Sequence, residues 1–190
     1  MRVLGISGSL RSDSHNSALL RAAAEWLPGG AELVEFDRLA DIPAYDEDLD
    51  VEPAPTAVAD LRAAIRGADA VLIATPEYNH SIPGALKNAL DWASRPAGRS
   101  ALNGTPAAVI GASTGMFGAV WSQAETRKVL SAMGGRVLEA ELPVGHAHRH
   151  ERLDGDRLAL EPEQGQRLRE ILAELVSAAE IEAGLRPLAA

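Results

Sequence analysis

A loop of hydroxyl, amide and guanidinium side chains follows the first apolar run of the chain. This first loop spans residues 9–16 and leads directly into a segment with helical spacing. Unpaired N–H groups at a helix N-terminus, together with the helix dipole, favour anions, and Arg11 can meet phosphate oxygens with a fork of N–H groups. The first loop therefore predicts a phosphate site. Its candidate residues are Ser9, Leu10, Arg11, Ser14, His15 and Asn16.

The same loop has a simpler explanation and two rival nucleotide assignments. Ser14 or Asn16 could serve only as a helix cap, but one cap does not need several donors and an arginine. The chain has no Gly-x-x-x-x-Gly-Lys-Ser/Thr sequence, which excludes a P-loop, and Gly5-x-x-Gly8 is not the Gly-x-Gly-x-x-Gly pattern of a dinucleotide site. The loop fits a mononucleotide with a terminal phosphate.

Two later loops carry groups suited to a flat heterocycle. The second loop, residues 76–82, offers a stiff turn, an aromatic plane and polar groups that can meet the edge of a ring. The third loop, residues 111–118, contains glycines, which let backbone approach a ligand closely. Candidate residues of the two loops are Pro76, Glu77, Tyr78, Asn79, Ser113, Thr114 and Gly115.

Alternating strand and helix patterns place the three loops at one edge of a sheet. Apolar runs of strand length cover residues 2–6, 31–36, 70–74, 107–111 and 136–138. Helical spacing covers residues 17–27, 56–66, 83–93, 120–133 and 163–183. This alternation predicts an α/β protein with a flavodoxin-like, doubly wound, five-stranded parallel sheet of order 2-1-3-4-5 and helices on both faces. The loops follow strands 1, 3 and 4, whose carboxyl ends form the ligand-binding edge.

Composition limits the domain count and the possible partners. A chain of 190 residues that is 46% hydrophobic can bury one core, so we expect one domain over residues 1–185 and a frayed tail over residues 186–190. No apolar run reaches 18 residues and no signal-like leader precedes the first strand, so we expect a cytoplasmic protein with no membrane partner. The absence of cysteine excludes thiolate chemistry. A net charge of −9 argues against nucleic-acid binding.

Two stretches, residues 40–55 and 145–160, are predicted to lack regular structure, and both contain groups that could suggest a metal. The second stretch has alternating histidines, which would share one face of an extended strand, but neighbouring arginines favour a solvated segment. These histidines are His146, His148 and His150. The acidic residues of the first stretch lack the glycine of a calcium loop. We expect no metal site.

Four segments occur in order between about residue 2 and residue 145. They are Gly8-Ser9-Leu10-Arg11-x-x-Ser14-x-Asn16, Asp41-Ile42-Pro43-x-Tyr45-Asp46, Thr75-Pro76-Glu77-Tyr78-Asn79-x-Ser81-x-Pro83-Gly84-x-Leu86-Lys87-Asn88-Ala89-x-Asp91-Trp92, and residues 111–118. Together they resemble the NADPH-dependent FMN reductase family, which includes bacterial quinone, chromate and azo-dye reductases. The long central segment is highly specific for that family.

The resemblance implies that the chain binds FMN. Ser9, Arg11, Ser14 and Asn16 would hold the phosphate, the residues of 76–79 would line the isoalloxazine, and Ser113 would contact the ring or the ribityl chain. Relatives are homodimers or homotetramers in which the helix of residues 83–93 helps to build the interface. His80 and Met116-Phe117 depart from the family pattern, which affects the expected electron acceptor rather than FMN binding.

The resemblance also implies an NAD(P)H-dependent oxidoreductase. NADPH or NADH would deliver hydride to the flavin, and a quinone, an azo or nitro compound, a metal oxyanion or free flavin would then collect the electrons in a ping-pong reaction. The flavin carries this chemistry, so no catalytic side chain is expected.

Two other functions are weighed against this one. A non-enzymatic flavodoxin-like carrier or regulatory module would bind FMN and exchange electrons with protein partners, and the acidic net charge fits it. The second loop, however, belongs to the reductase pattern. A hydrolase with Ser9 or Ser113 as nucleophile is the other alternative. Gly111-x-Ser113-x-Gly115 matches a nucleophile motif, but no Asp and His pair follows successive later strands as such a hydrolase requires.

Overall fold

A parallel sheet forms the centre of the computed structural model, which describes residues 1–154 and 156–185. Its strands are β1 (Arg2–Ser7), β2 (Glu32–Phe36), β3 (Ala70–Thr75), β4 (Pro106–Ala112), β5 (Arg136–Val137) and β6 (Pro143–Val144). The order is β2-β1-β3-β4-β5, every neighbouring pair is parallel, and β6 also pairs with β4. This confirms the predicted flavodoxin-like order 2-1-3-4-5. The predicted tail, residues 186–190, lies outside the described residues.

Helices cover both faces of the sheet. They are α1 (His15–Trp26), α2 (Thr56–Arg66), α3 (Gly84–Ala93), α4 (Val120–Ala132) and α5 (Pro162–Leu185). α1 and α5 pack on one face, and α2, α3 and the Leu130 side of α4 pack on the other. No helix in the described part of the chain has both the length and the apolar content needed to cross a membrane.

Alternation along each strand divides the core into two halves. In β3, Leu72 packs on the α1 and α5 face, whereas Val71 and Ile73 pack on the opposite face. Successive side chains of a strand point to opposite faces, and a parallel strand between two helix layers is apolar on both. The uninterrupted apolar runs of the sequence are therefore explained by burial on two sides.

α1 begins two residues earlier than the helical spacing predicts. Ser14 is its N-cap, and its Oγ accepts hydrogen bonds from Asn16 N and Ser17 N at 3.2 Å each. Such a bond satisfies N–H groups that have no partner inside the helix. The helix ends at Trp26, ahead of Leu27, whose position before a proline disfavours helical backbone.

The fifth strand position holds two short segments instead of one strand. β5 pairs with Pro106 and Ala107, and β6 pairs with Gly111 and Ala112 at the other end of β4. The side chain of Gln123, fully buried in α4, fills part of the gap because its Nε2 donates to Leu142 O and its Oε1 accepts from Leu142 N. One amide side chain thus makes bonds that a continuous ladder would make.

The predicted absence of regular structure over residues 145–160 is wrong. A 3₁₀ turn covers Ala147–Arg149, and an antiparallel hairpin joins β7 (Arg152–Leu153) to β8 (Arg157–Leu158). Leu158 is 1% exposed and packs in the α1 and α5 half of the core. The hairpin depends on this distant contact, since a two-residue strand carries no periodic signal of its own.

Candidate functional site

A cleft opens at the carboxyl ends of β1, β3 and β4, where the three predicted loops meet. Its lining contains Ala112 and every predicted site residue except Leu10, Asn79 and Gly115. Ala112, which sequence reasoning did not single out, contributes its backbone at the end of β4. The structure thus brings together residues from all three loops, as the strand order requires.

A larger cavity lies at the opposite edge of the sheet. It has a volume of about 660 Å³, against about 130 Å³ for the cleft, and Arg66, Arg99 and Asn103 are among its lining residues. It lies near the amino end of β4 and contains none of the predicted site residues. Ligands of open α/β sheets bind at the carboxyl edge, so the smaller cleft is the candidate site.

Close packing of glycine brings the first two loops together. A Cβ added to Gly8 would lie 2.9 Å from the Leu86 side chain and 3.1 Å from Pro76. Gly8 N also donates to Ala74 O at 2.8 Å. A side chain at this position would push the first loop away from the second and widen the cleft.

Backbone N–H groups of the first loop suit an anion. Within residues 1–154 and 156–185, no hydrogen bond engages the N–H groups of Leu10, Ser12, Asp13, Ser14 or His15. Ser14 is only 2% exposed, so its N–H has little access to bulk water. A row of unpaired N–H groups at a helix N-terminus binds phosphate, and the donor set therefore fits a phosphate group.

Asn16 joins the first loop to the third. It is 2% exposed, its Nδ2 donates to Ala112 O at 3.0 Å, and its Oδ1 accepts from Ala112 N at 2.9 Å. The side chain was predicted to contact the phosphate, and that contact stays a prediction. In the structure its amide fixes the distance between two of the three loops.

Glu77 caps α4 from the second loop. Its Oε2 accepts from Trp121 N and Ser122 N at 3.1 Å each, and its side chain is 12% exposed. Ala119, the N-cap residue of α4, offers no side-chain bond and has a left-handed φ of 63°. A carboxylate at a helix N-terminus interacts favourably with the helix dipole. Glu77 lines the cleft, its carboxylate caps and positions α4, and the predicted contact to the flavin ring stays a prediction.

A tight turn presents Tyr78 at the mouth of the cleft. Tyr78 and Ser81 exchange backbone hydrogen bonds at 3.2 and 3.3 Å, while Asn79 and His80 have φ values of 53° and 59°. Two positive φ angles are typical of a type I′ turn, which asparagine tolerates well. Tyr78 lines the cleft and is 55% exposed.

Aromatic side chains form an exposed cluster beside the cleft. The Trp121 ring lies 4.7 Å from the His80 ring and 5.0 Å from the Phe117 ring, with edge-to-face geometry in both pairs. Phe117 and Trp121 are 53% and 40% exposed, and Met116 is also exposed. An exposed cluster of apolar side chains is typical of a surface that binds a ligand or another protein. Trp121 was not identified from the sequence.

An arginine of the β7–β8 hairpin reaches the first loop. Arg152 Nη2 donates to Asp13 Oδ1 at 3.0 Å and lies 3.3 Å from His15 Nδ1. Burial, followed by the charges of Arg152 and Arg11, lowers the pKa of His15 below its ordinary value. No role was predicted for Arg152 from the sequence, because the segment around it is variable among the proteins that the chain resembles.

Alternation would place the three histidines of residues 145–160 on one face if the segment were an extended strand. In the structure the segment is not a strand at these positions. The turn at Ala147–Arg149 separates them, and His150 Nδ1 lies 2.7 Å from Ala159 O. The His146 and His148 rings are 6.3 Å apart. Across the residues that the structure describes, no three side chains of suitable type form a metal-binding group.

Ser113 lacks the partners of a nucleophile. In the described ranges its Oγ has a hydrogen bond only to Gly115 O, at a long 3.4 Å. A serine hydrolase requires a histidine bonded to that oxygen. The hydrolase alternative is therefore not supported by the site geometry.

Known proteins with similar sequences or structures include an FMN reductase, a quinone reductase and a flavoenzyme oxidoreductase. The family model described as NADPH-dependent FMN reductase matches residues 1–149. An NAD(P)H-dependent FMN reductase from Pseudomonas aeruginosa is 50% identical over 68% of this chain and 69% of its own, and a quinone reductase from Pseudomonas putida is 42% identical over 66% and 67%. The solved structure of FerB, a flavoenzyme NAD(P)H:(acceptor) oxidoreductase from Paracoccus denitrificans, has a TM-score of 0.82 at 35% identity and covers 95% of this chain and 98% of its own.

Proposed function

Because the chain belongs to the NADPH-dependent FMN reductase family, we propose that its cleft holds FMN and passes electrons from NADPH or NADH to a quinone. The resemblance inferred from the sequence is confirmed, and the chain is an NAD(P)H-dependent oxidoreductase. Quinone is the acceptor class that we favour because relatives carry that activity in their names. The observation that carries the assignment is the row of unpaired N–H groups where three loops meet.

The first loop supplies the phosphate contacts in this proposal. Its backbone N–H groups and the Arg11 guanidinium donate to the phosphate oxygens, while the Ser9 and Ser14 hydroxyls add donors. Ser14 Oγ already accepts two bonds as the N-cap, which leaves its hydrogen free to donate. Asn16 acts mainly through its two hydrogen bonds to the Ala112 backbone, which hold the first loop at a fixed distance from the third.

The second and third loops supply the ring site. Pro76 and Tyr78 would line the isoalloxazine, and Ser113 and Thr114 would contact the ring or the ribityl chain. Asn79 and Gly115 lie outside the cleft lining, so their contacts to the cofactor stay predictions. Bound FMN would accept hydride from the nicotinamide and release electrons to the acceptor. The chain binds, orients and shields these groups, and we assign no side chain as an acid or base. Glu77 Oε2 accepts two backbone bonds from α4, so that oxygen serves the helix rather than the ring.

Quinone-dependent turnover is the expected result when the protein is reconstituted with FMN. Oxidation of NADPH, followed by its near-ultraviolet absorbance, should accelerate on addition of a small quinone and should stop when FMN is removed. A sample that binds FMN tightly but fails to oxidise NADPH with any small acceptor would contradict the proposal. That outcome would favour the electron-carrier alternative, which needs a protein partner.

The chain forms a homodimer or homotetramer in our proposal, and the aromatic cluster supports this assembly. Phe117 and Trp121 expose apolar surface beside the cleft, and burial against a second copy would remove it from water. Light scattering at micromolar concentration should give an oligomeric mass for the native chain and a smaller one for Trp121→Glu. A monomeric native chain would contradict this assembly. A single domain over residues 1–185 and a cytoplasmic location stay predictions.

A further inference from the structure

Ion pairs and one buried side chain hold the β7–β8 hairpin against α1. Arg21 Nη1 lies 2.6 Å from Asp156 Oδ2, and Arg157 Nη1 lies 2.8 Å from Glu25 Oε2. Leu158 packs beneath them in the core at 1% exposure. α1 is also the helix whose N-terminus carries the first loop. The hairpin therefore has a fixed position relative to that loop.

The position of the hairpin places a second guanidinium beside the first loop. Arg152 Nη2 contacts Asp13 Oδ1 at 3.0 Å and His15 Nδ1 at 3.3 Å. The side chain of Arg152 is 24% exposed, whereas that of Arg11 is 58% exposed. His15 itself lines the cleft. Of the two arginines at the first loop, Arg152 therefore has the less exposed side chain.

Asp13 is the common partner of both arginines. Arg11 Nη2 lies 3.8 Å from its carboxylate and also bonds to its main-chain oxygen, and Arg152 bonds to the carboxylate directly. Asp13 is the only acidic residue in residues 9–16, and its side chain is 76% exposed. An exposed carboxylate holds an arginine weakly, because water and salt screen the pair. A doubly charged phosphate would compete well for the same guanidinium groups.

We propose that Arg152 is a second cation for the FMN phosphate and that Asp13 competes with the phosphate for it. This inference rests on the proposed function, since it takes the first loop to be the FMN phosphate site. The five N–H donors of a guanidinium allow Arg152 to bind a phosphate oxygen while it still contacts His15. Asp13 lowers FMN affinity in two ways, because it occupies the guanidinium groups and repels the phosphate.

Opposite effects of two substitutions test the inference. Apo-protein is titrated with FMN and with riboflavin, which lacks the phosphate, and binding is followed by flavin fluorescence. Arg152→Gln should weaken FMN binding about tenfold, as expected for a charge-assisted hydrogen bond, and Asp13→Asn should tighten it about threefold. Riboflavin affinity should be the same in both variants and in the native chain. Arg157→Gln, which removes the hairpin ion pair to Glu25 and shares no partner with Arg152, is the matched control and should change neither affinity.

The inference fails if the contact between Asp13 and Arg152 only holds the hairpin in place. The two substitutions would then break the same ion pair, and FMN and riboflavin affinities would move together and in the same direction in both variants. Equal FMN affinity of Arg152→Gln and the native chain would also overturn it. Asp13 is exposed, so Asp13→Asn gives a test even if Arg152→Gln is poorly folded. A native chain that binds no FMN would instead overturn the proposed function itself.

Discussion

Arg11→Ala is expected to weaken FMN binding more than tenfold. The Arg11 guanidinium lies at the edge of the cleft, and a lost charge-assisted contact to phosphate costs about 1.5–3 kcal/mol. The contacts that the substitution removes from the folded protein are those to Asp13, whose side chain is 76% exposed, so stability should be nearly unchanged. Fluorescence titration of apo-protein with FMN measures the effect.

Arg99→Ala is the matched control for this experiment. Arg99 is also exposed, but it lines the cavity at the opposite edge of the sheet. The Arg99→Ala substitution removes the same charge from the protein as Arg11→Ala does. Any loss of FMN affinity due to net charge alone would therefore appear in both variants. Equal FMN affinities of Arg11→Ala and the native chain would show that the Arg11 guanidinium does not bind the phosphate.

Asn16→Asp is expected to lower the free energy of unfolding by about 3 kcal/mol, because it introduces a charge and leaves a buried carbonyl without its donor. Asn16 is 2% exposed, and Nδ2 donates to Ala112 O. An aspartate would present an oxygen to that carbonyl, so an attraction becomes a repulsion. Urea unfolding, followed by tryptophan fluorescence, measures the change. FMN affinity should fall as well, since the link between the first and third loops is broken.

The same chemical change at an exposed position separates this effect from that of the added charge. Asn79→Asp, in the turn of the second loop, should change the free energy of unfolding by about 0.5 kcal/mol or less. An Asn16→Asp protein as stable as the native chain would show that the two bonds to Ala112 contribute little. The role assigned to Asn16 in holding the loops together would then be wrong.

Local patterns predicted most of the fold. α2 has the predicted limits, Thr56 and Arg66, and the strand order follows from the alternation of strands and helices. The β7–β8 hairpin could not be predicted in this way, because it is stabilised by Leu158 against the α1 side of the core and by ion pairs to distant residues. Such contacts leave no period in the sequence of the segment itself.

The candidate site was predicted in position but not in its internal connections. Strand ends placed the three loops together, and the types of residue indicated a phosphate and a flat ring. The partners of Asn16 and Glu77 could not be found from the sequence, since Ala112 is 96 residues from Asn16 and Trp121 is 44 residues from Glu77. An asparagine or glutamate in a loop indicates which bonds it can make, but its partner depends on the folded chain.

The divided strand beside β4 also bears on how this protein behaves at high concentration. A long, regular outer strand exposes a row of N–H and C=O groups on which another chain can add a strand, and this is a common start of aggregation. Here β5 and β6 are two residues each, and a break in the strand separates them. The outer edge therefore offers a foreign strand only short runs of backbone groups, which makes it a poor template.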